Sequence, residues 1–159
     1  MTNAAKPSST AKAASASWLA LDMQLCFALY SASLAMTKIY KPLLAPLGLT
    51  YPQYLVMLVL WEQDGQPVSA IGERLTLDSG TLTPLLKRLE AAGLVQRLRD
   101  AADERRVLVQ LTAEGRAMKA QAHSVPQQIL CATDCQIDEI AQLTQRLRAL
   151  RDNLAQAAA

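Results

Sequence analysis

Hydrophobic periodicity changes once along this chain, and that change constrains the fold more than any other feature. Before Gly93, apolar residues recur mainly at spacings of three and four. After it, LVQRLR and RVLVQLT alternate apolar and polar residues, with DAADE between them. Period two on both sides of a polar turn specifies an antiparallel hairpin. From Thr112 onward the helical period returns. A lone two-stranded hairpin is marginal in water, so it must lean on the helices that flank it. The fold class expected is mainly α with a small β-hairpin.

The helices can be read individually. Between Trp18 and about Tyr40 there is no Gly or Pro, and Cys26, Leu29, Ser33, Met36 and Tyr40 share one helical face. Ser15 or Ser17 is placed to cap this helix, and Pro42 and Pro46 to close it. KPLLAPLGLT reads as a turn-rich connection holding a helical turn. TYPQYLVMLVLWEQ is a second, heavily buried helix with Pro52 in its first turn. The turn DGQP leads to a short amphipathic helix, VSAIGERLTL, and then to TLTPLLKRLEAAG, which ends at Gly93. Pro84 requires that helix to begin near Thr81 or to kink. Beyond the hairpin, TAEGRAMKAQAHSV is interrupted near Pro126. The last helix carries Ile137, Ile140, Leu143, Leu147, Leu150 and Leu154 as a stripe suited to packing on another helix.

Three helices and a hairpin between long terminal helices make a winged helix-turn-helix inside a helical dimerisation frame. The expected divisions are a loose Ala/Ser/Thr tail over 1–16, a first helix and connection over 17–50, the winged region over 51–117 and C-terminal dimerisation helices over 118–159. Of the 159 residues 51% are hydrophobic and 19% charged, more apolar surface than one small chain covers, so a homodimer is expected. That composition excludes a disordered chain. No apolar run reaches the roughly 18–20 residues that cross a bilayer, and the N-terminus lacks the apolar core of a secretory signal. Three cysteines are not the even set of a disulfide framework, which makes a cytoplasmic location the expectation. A net charge of +2 permits nucleic-acid binding without demanding it.

A DNA-reading helix places short hydrogen-bonding side chains near its start, and Ser79, Thr81 and Thr83 meet that need. Lys87 and Arg88 lie where phosphates would be reached, and the N–H groups near Ser79 and Gly80 offer an anion site. At the hairpin tip, Arg105 and Arg106 suit a narrow minor groove. The plainer alternatives are an N-cap at Asp78 or Ser79 and a solvated face for Lys87 and Arg88. For Arg97 and Arg99 the choice lies between a polar strand face and a phosphate contact. The stretch from VSAIGERL to LTAEG resembles the core of the MarR family of winged-helix repressors. The likeness covers about residues 50–120 and is most specific in GTLTPLLKRLEAAGLV and DERRVLVQLTAEG. It implies a transcriptional repressor, not an enzyme, bound to double-stranded, pseudo-palindromic operator DNA. It also implies that Arg105 enters the minor groove while Asp103 holds it.

Cys26 is either a small buried hydrophobe or a reactive thiol. Tyr40 on the same helix and Tyr51 at the start of the next supply phenols able to hold a thiolate or its oxidised oxygen. Cys26 and Tyr40 are fourteen residues apart, roughly 21 Å at about 1.5 Å per residue, so they meet only if two copies cross antiparallel. With the MarR-like core, this set resembles the organic hydroperoxide resistance regulators, a thiol-sensing branch of the family. The resemblance implies peroxide attack at Cys26, a sulfenic acid, an intersubunit disulfide to a C-terminal cysteine and release from DNA. Cys131 is favoured as the resolving residue, with Cys135 the runner-up. Leu25, Phe27, Leu29 and Met57 are candidates for an apolar peroxide pocket. No cofactor is expected, and no metal either, since the CxxxC pair has only His123 nearby. The rival readings are a MarR-type repressor released by a small aromatic ligand, and a thiol peroxidase that would leave the recognition helix and wing without purpose.

Overall fold

The computed structural model describes residues 18–158, and the chain divides into two compact units, Met1–Ile39 and Tyr40–Ala159. In the first unit a 3-10 turn at Leu21–Met23 precedes helix α1, Leu25–Leu44, which continues past the division. The helix thus starts later than the uninterrupted run from Trp18 suggests. Gln24 is extended (φ −87°, ψ 113°), and its side-chain amide donates to the carbonyls of Trp18 and Ala20. Those carbonyls are satisfied by a side chain instead of by helical N–H groups. Both proposed capping serines, Ser15 and Ser17, lie outside the described residues.

Pro42 does not close α1; it sits inside its last turns. A proline there forfeits one backbone hydrogen bond and leaves the rest of the turn intact. Closure comes at the 3-10 turn Ala45–Leu47, where Gly48 turns left-handed (φ 65°). Helix α2, Tyr51–Glu62, follows with Thr50 as its cap and Pro52 in its first turn. Tyr54, Val56, Met57, Val59, Leu60 and Trp61 are all buried, so α2 has no polar face and forms the centre of its unit.

A two-residue strand β1, Gln66–Pro67, leads into α3, Val68–Leu75, and α4, Ser79–Ala91. Strands β2, Val95–Arg99, and β3, Val107–Leu111, form the expected hairpin, with Arg97 opposite Val109. The sheet has a third member, because β1 pairs antiparallel with β3 and places β3 in the middle. Two residues are too few for period-two alternation to register, which hid β1 inside the turn DGQP. Helices α5, Ala113–Ala122, α6, Val125–Thr133, and α7, Ile137–Ala157, complete the chain. The break falls at His123 and Ser124, just ahead of Pro126, near where the sequence placed it. No residue of α7 is buried, and Ile137, Leu143, Leu147 and Leu154 face solvent in the single chain.

The core joins α2, α3, α4, the sheet and α5 through Leu60, Ile71, Leu82, Leu86, Leu89 and Val109, among others. Its tightest junction is where α5 leaves the sheet. The Trp61 indole N–H donates to the Gly115 carbonyl at 2.9 Å. A Cβ at Gly115 would lie 2.0 Å from the Leu94 carbonyl oxygen. Backbone cannot yield as a side-chain tip does, so Gly115→Ala should cost about 3 kcal/mol, at the upper end for overpacking. Urea unfolding checks this, and stability within about 0.5 kcal/mol of wild type, the scatter of a neutral surface change, would disprove it.

Candidate functional site

Helix α4 begins at Ser79, ahead of the start that Pro84 favours. Asp78 is its cap, accepting from the Thr81 N–H at 2.8 Å and the Thr81 hydroxyl at 3.0 Å. These hydrogen bonds, the backbone one foremost, hold the Asp78 carboxyl below the usual carboxylate range. The expected anion site at the N–H groups near Ser79 and Gly80 is therefore taken by the chain's own carboxylate, and that expectation is corrected. Ser79 and Thr81 are exposed and Thr83 is half-buried. Lys87 and Arg88, exposed one to two turns on, make no ion pair among the described residues.

The corner between α4 and β2 turns on Gly93 (φ 73°), with the Leu94 N–H reaching back to the Leu89 carbonyl. That geometry brings the hairpin beside α4. Between them lies a cleft of about 300 Å³, lined by Ser69, Thr83, Leu86, Arg97, Arg105 and Arg106, among others. At the tip Asp103 accepts from both the Arg105 backbone N–H, at 3.1 Å, and its Nε, at 3.2 Å. The Arg105 side chain is nonetheless 92% exposed, so it is held at its base and free at its end. Arg106 lies 3.8 Å from Asp100. Arg99 donates to the Glu104 carbonyl at 3.3 Å. Arg97 is neither a solvated strand residue nor a free cation: its Nη2 and Nε donate to Glu90 at 2.6 and 2.9 Å. Sequence reasoning missed Glu90, whose partner becomes visible only once the hairpin packs on the helix, and Asp100, which meets Arg106 across the hairpin turn.

Tyr40 and Tyr51 pack together, with ring centroids 4.5 Å apart, and Tyr54 joins them at 5.9 Å from Tyr40. Tyr54, which the sequence reading passed over, sits within the buried stretch of α2 and also meets Trp61 edge-on at 6.2 Å. Burial, aided by the neighbouring phenols, pushes Tyr40 up to about 12. Met57 is fully buried in the core, which removes it from the candidate pocket lining. Cys26, in the other unit, is an exposed free thiol, and the Tyr30 phenol one turn further along α1 is exposed as well. Cys131 is exposed on α6. Cys135 is half-buried beyond the left-handed Asp134 (φ 52°), and its thiol donates to the Thr133 carbonyl at 3.3 Å.

A helix with short polar side chains at its start, sharing a cleft with an arginine-tipped hairpin, defines a winged-helix DNA-binding protein. The SarA/Rot family of transcriptional regulators matches residues 38–122, and the chain belongs to that family. It is 53% identical over 134 residues to the HTH-type transcriptional regulator TtmR of Methylorubrum extorquens, covering 84% of this chain and 69% of that one. It is 48% identical over 136 residues to the organic hydroperoxide resistance transcriptional regulator of Bacillus subtilis, covering 86% and 92%. Reduced AbfR bound to DNA matches with a TM-score of 0.72 at 36% identity, over 85% of this chain and 94% of that one. AbfR, from Staphylococcus epidermidis, is also known with a disulfide formed (TM-score 0.60, 36% identity, 90% and 98% covered). The protein is thus a DNA-binding transcriptional regulator of the MarR type. No single helix among its described residues is long and apolar enough to cross a membrane.

The tyrosine cluster has a measurable consequence. A phenol whose folded-state value lies near 12 stays neutral while the unfolded phenol ionises near 10, so stability is full below pH 10 and declines as pH rises toward 12. Absorbance titration at 295 nm should show late-ionising tyrosines, and Tyr40→Phe should remove the latest. Equal titration of all tyrosines near 10 would contradict the packing.

Proposed function

We propose that this regulator binds a pseudo-palindromic operator as a homodimeric repressor and is released when an organic hydroperoxide oxidises Cys26. The exposed thiol of Cys26, in a chain 48% identical to a regulator named for organic hydroperoxide resistance, carries the reading. Ser79, Thr81 and Thr83 meet base edges in the major groove, and Lys87 and Arg88 meet phosphates. Arg105, oriented by Asp103, enters the flanking minor groove, with Arg106 beside it.

In the sensing step the Cys26 thiolate attacks one peroxide oxygen. The O–O bond breaks, the organic fragment takes a proton and leaves as an alcohol, and Cys26 becomes a sulfenic acid. Tyr40 and Tyr51 of the partner subunit, met where two copies cross antiparallel, supply neutral O–H donors for that oxygen, and Tyr30 is a third phenol one turn from Cys26. A thiolate from Cys131 of the partner subunit then attacks the Cys26 sulfur, the S–O bond breaks, the hydroxyl takes up a proton and leaves as water, and an intersubunit disulfide forms. Exposure favours Cys131 over Cys135, whose thiol is engaged by the Thr133 carbonyl. Disulfide closure needs Cα atoms about 4.4–6.8 Å apart. Meeting that limit shifts the terminal helices and takes the paired recognition helices off their groove spacing, about 34–36 Å.

An apolar groove of about 580 Å³, lined by Tyr54, Leu58, Trp61, Ala122 and Pro126 among others, favours a second reading, release by a small aromatic ligand. The two differ in thiol consumption, since ligand binding uses none. Organic hydroperoxide should weaken operator binding by roughly 5- to 150-fold, the usual size of an allosteric coupling, and leave Cys26→Ser bound. Release of the Cys26→Ser protein by the peroxide would refute the sensing role. On a non-reducing gel, the peroxide-induced dimer band should persist in Cys135→Ser and vanish in Cys131→Ser.

A further inference from the structure

The cleft between α4 and the wing is the surface offered to DNA, yet it is close to neutral. Each of its three arginines stands beside a carboxylate of the same chain: Arg97 beside Glu90 at 2.6 Å, Arg105 beside Asp103 at 3.2 Å and Arg106 beside Asp100 at 3.8 Å. The three pairs are not equivalent. Arg105 is held only at its base, and Asp100 stands at the edge of contact with Arg106. Glu90 engages Arg97 on both carboxylate oxygens: Oε2 accepts from Nε and Nη2, and Oε1 accepts from the Arg97 backbone N–H at 3.0 Å. Hydrogen bonds from the Arg97 side chain, then from its backbone, hold the Glu90 carboxyl below the usual carboxylate range. The carboxylate is therefore charged wherever the protein meets DNA.

Partly exposed ion pairs contribute little to stability, so folding alone gives weak reason for this one. Its effect on DNA binding is larger. A free guanidinium in the cleft would neutralise a phosphate and release a counterion on any duplex, whatever its sequence. With Glu90 bound to it, Arg97 carries no net charge to offer. We infer that Glu90 is a specificity-determining residue: it withholds Arg97 from the DNA backbone and so keeps sequence-independent affinity low. The inference rests on the recognition-helix and wing assignments above, and not on the thiol chemistry.

The test measures binding of a labelled, random-sequence duplex of about three helical turns to the full-length protein across a potassium chloride series. Glu90→Gln keeps an oxygen acceptor for Arg97 and removes the charge. The slope of log affinity against log salt should steepen by about 0.9, one phosphate's share. The ratio of variant to wild-type affinity should accordingly grow roughly fivefold from 0.3 M to 0.05 M salt. Arg97→Gln alone should leave the wild-type slope unchanged, and added to Glu90→Gln it should abolish the increase. An unchanged slope in Glu90→Gln, or a flatter slope in Arg97→Gln alone, overturns the inference. Should Glu90→Gln fail to fold, the Arg97→Gln slope decides by itself. Arg105→Gln separates the two levels: if it leaves binding of the random duplex untouched, the wing assignment fails, whereas the Glu90 and Arg97 slopes still answer for Glu90.

Discussion

Everything in the larger unit is arranged around one helix that has nowhere to put a polar face. Helix α2 is apolar on all sides, so other elements must enclose it, and α3, α4, α5 and the sheet do so. Its C-terminal end is fastened as well as buried. The Trp61 indole donates to Gly115, and the Trp61 carbonyl accepts from Lys119 at 2.9 Å. Asp64, just past the helix, accepts from the Gly65 and Leu111 N–H groups and from Arg116. Hydrogen bonds to a shared carboxylate of this kind tie a loop, a strand end and a helix into one rigid corner. The wing is therefore anchored at its root, and its tip is the part left to adapt.

That arrangement gives α4 and the wing two kinds of cation. Lys87 and Arg88 make no ion pair among the described residues, whereas Arg97, Arg105 and Arg106 each stand beside a carboxylate. A net charge of +2 over the chain understates the first and overstates the second. The useful description is local: which guanidinium is free to move, and which is already held.

The helical pattern was legible because periodicity is a local property. The buried α2, the hairpin and the uncovered α7 stripe follow from apolar runs and spacings of two, three or four, and the α5–α6 break from Pro126. The pairing of Arg105 with Asp103 came instead from the resemblance to the MarR core. What escaped depended on tertiary approach or on side chains competing with backbone. Glu90 reaches Arg97 only around the Gly93 corner, and Tyr54 joins Tyr40 only once α1 turns into α2. Gln24 ends a helical start that apolar spacing favours. Asp78 fills with its own charge the N-terminal site that helix geometry alone would leave for a phosphate. Cys26 was legible as a candidate because few side chains of its chemistry are present.

The two-residue strand β1 does more than widen the wing. A sheet of three short strands has two open edges, and an open edge is a template on which further strands can grow. Proline at position 67 has no N–H to give, so the β1 edge cannot extend a regular ladder. On the other side, β2 presents the exposed Arg99, whose charge and bulk oppose a neighbouring strand. A protein that must stay dispersed while it searches long polymers of negative charge thus carries its β-structure with both margins closed. Its hairpin is thereby withheld from other copies of itself.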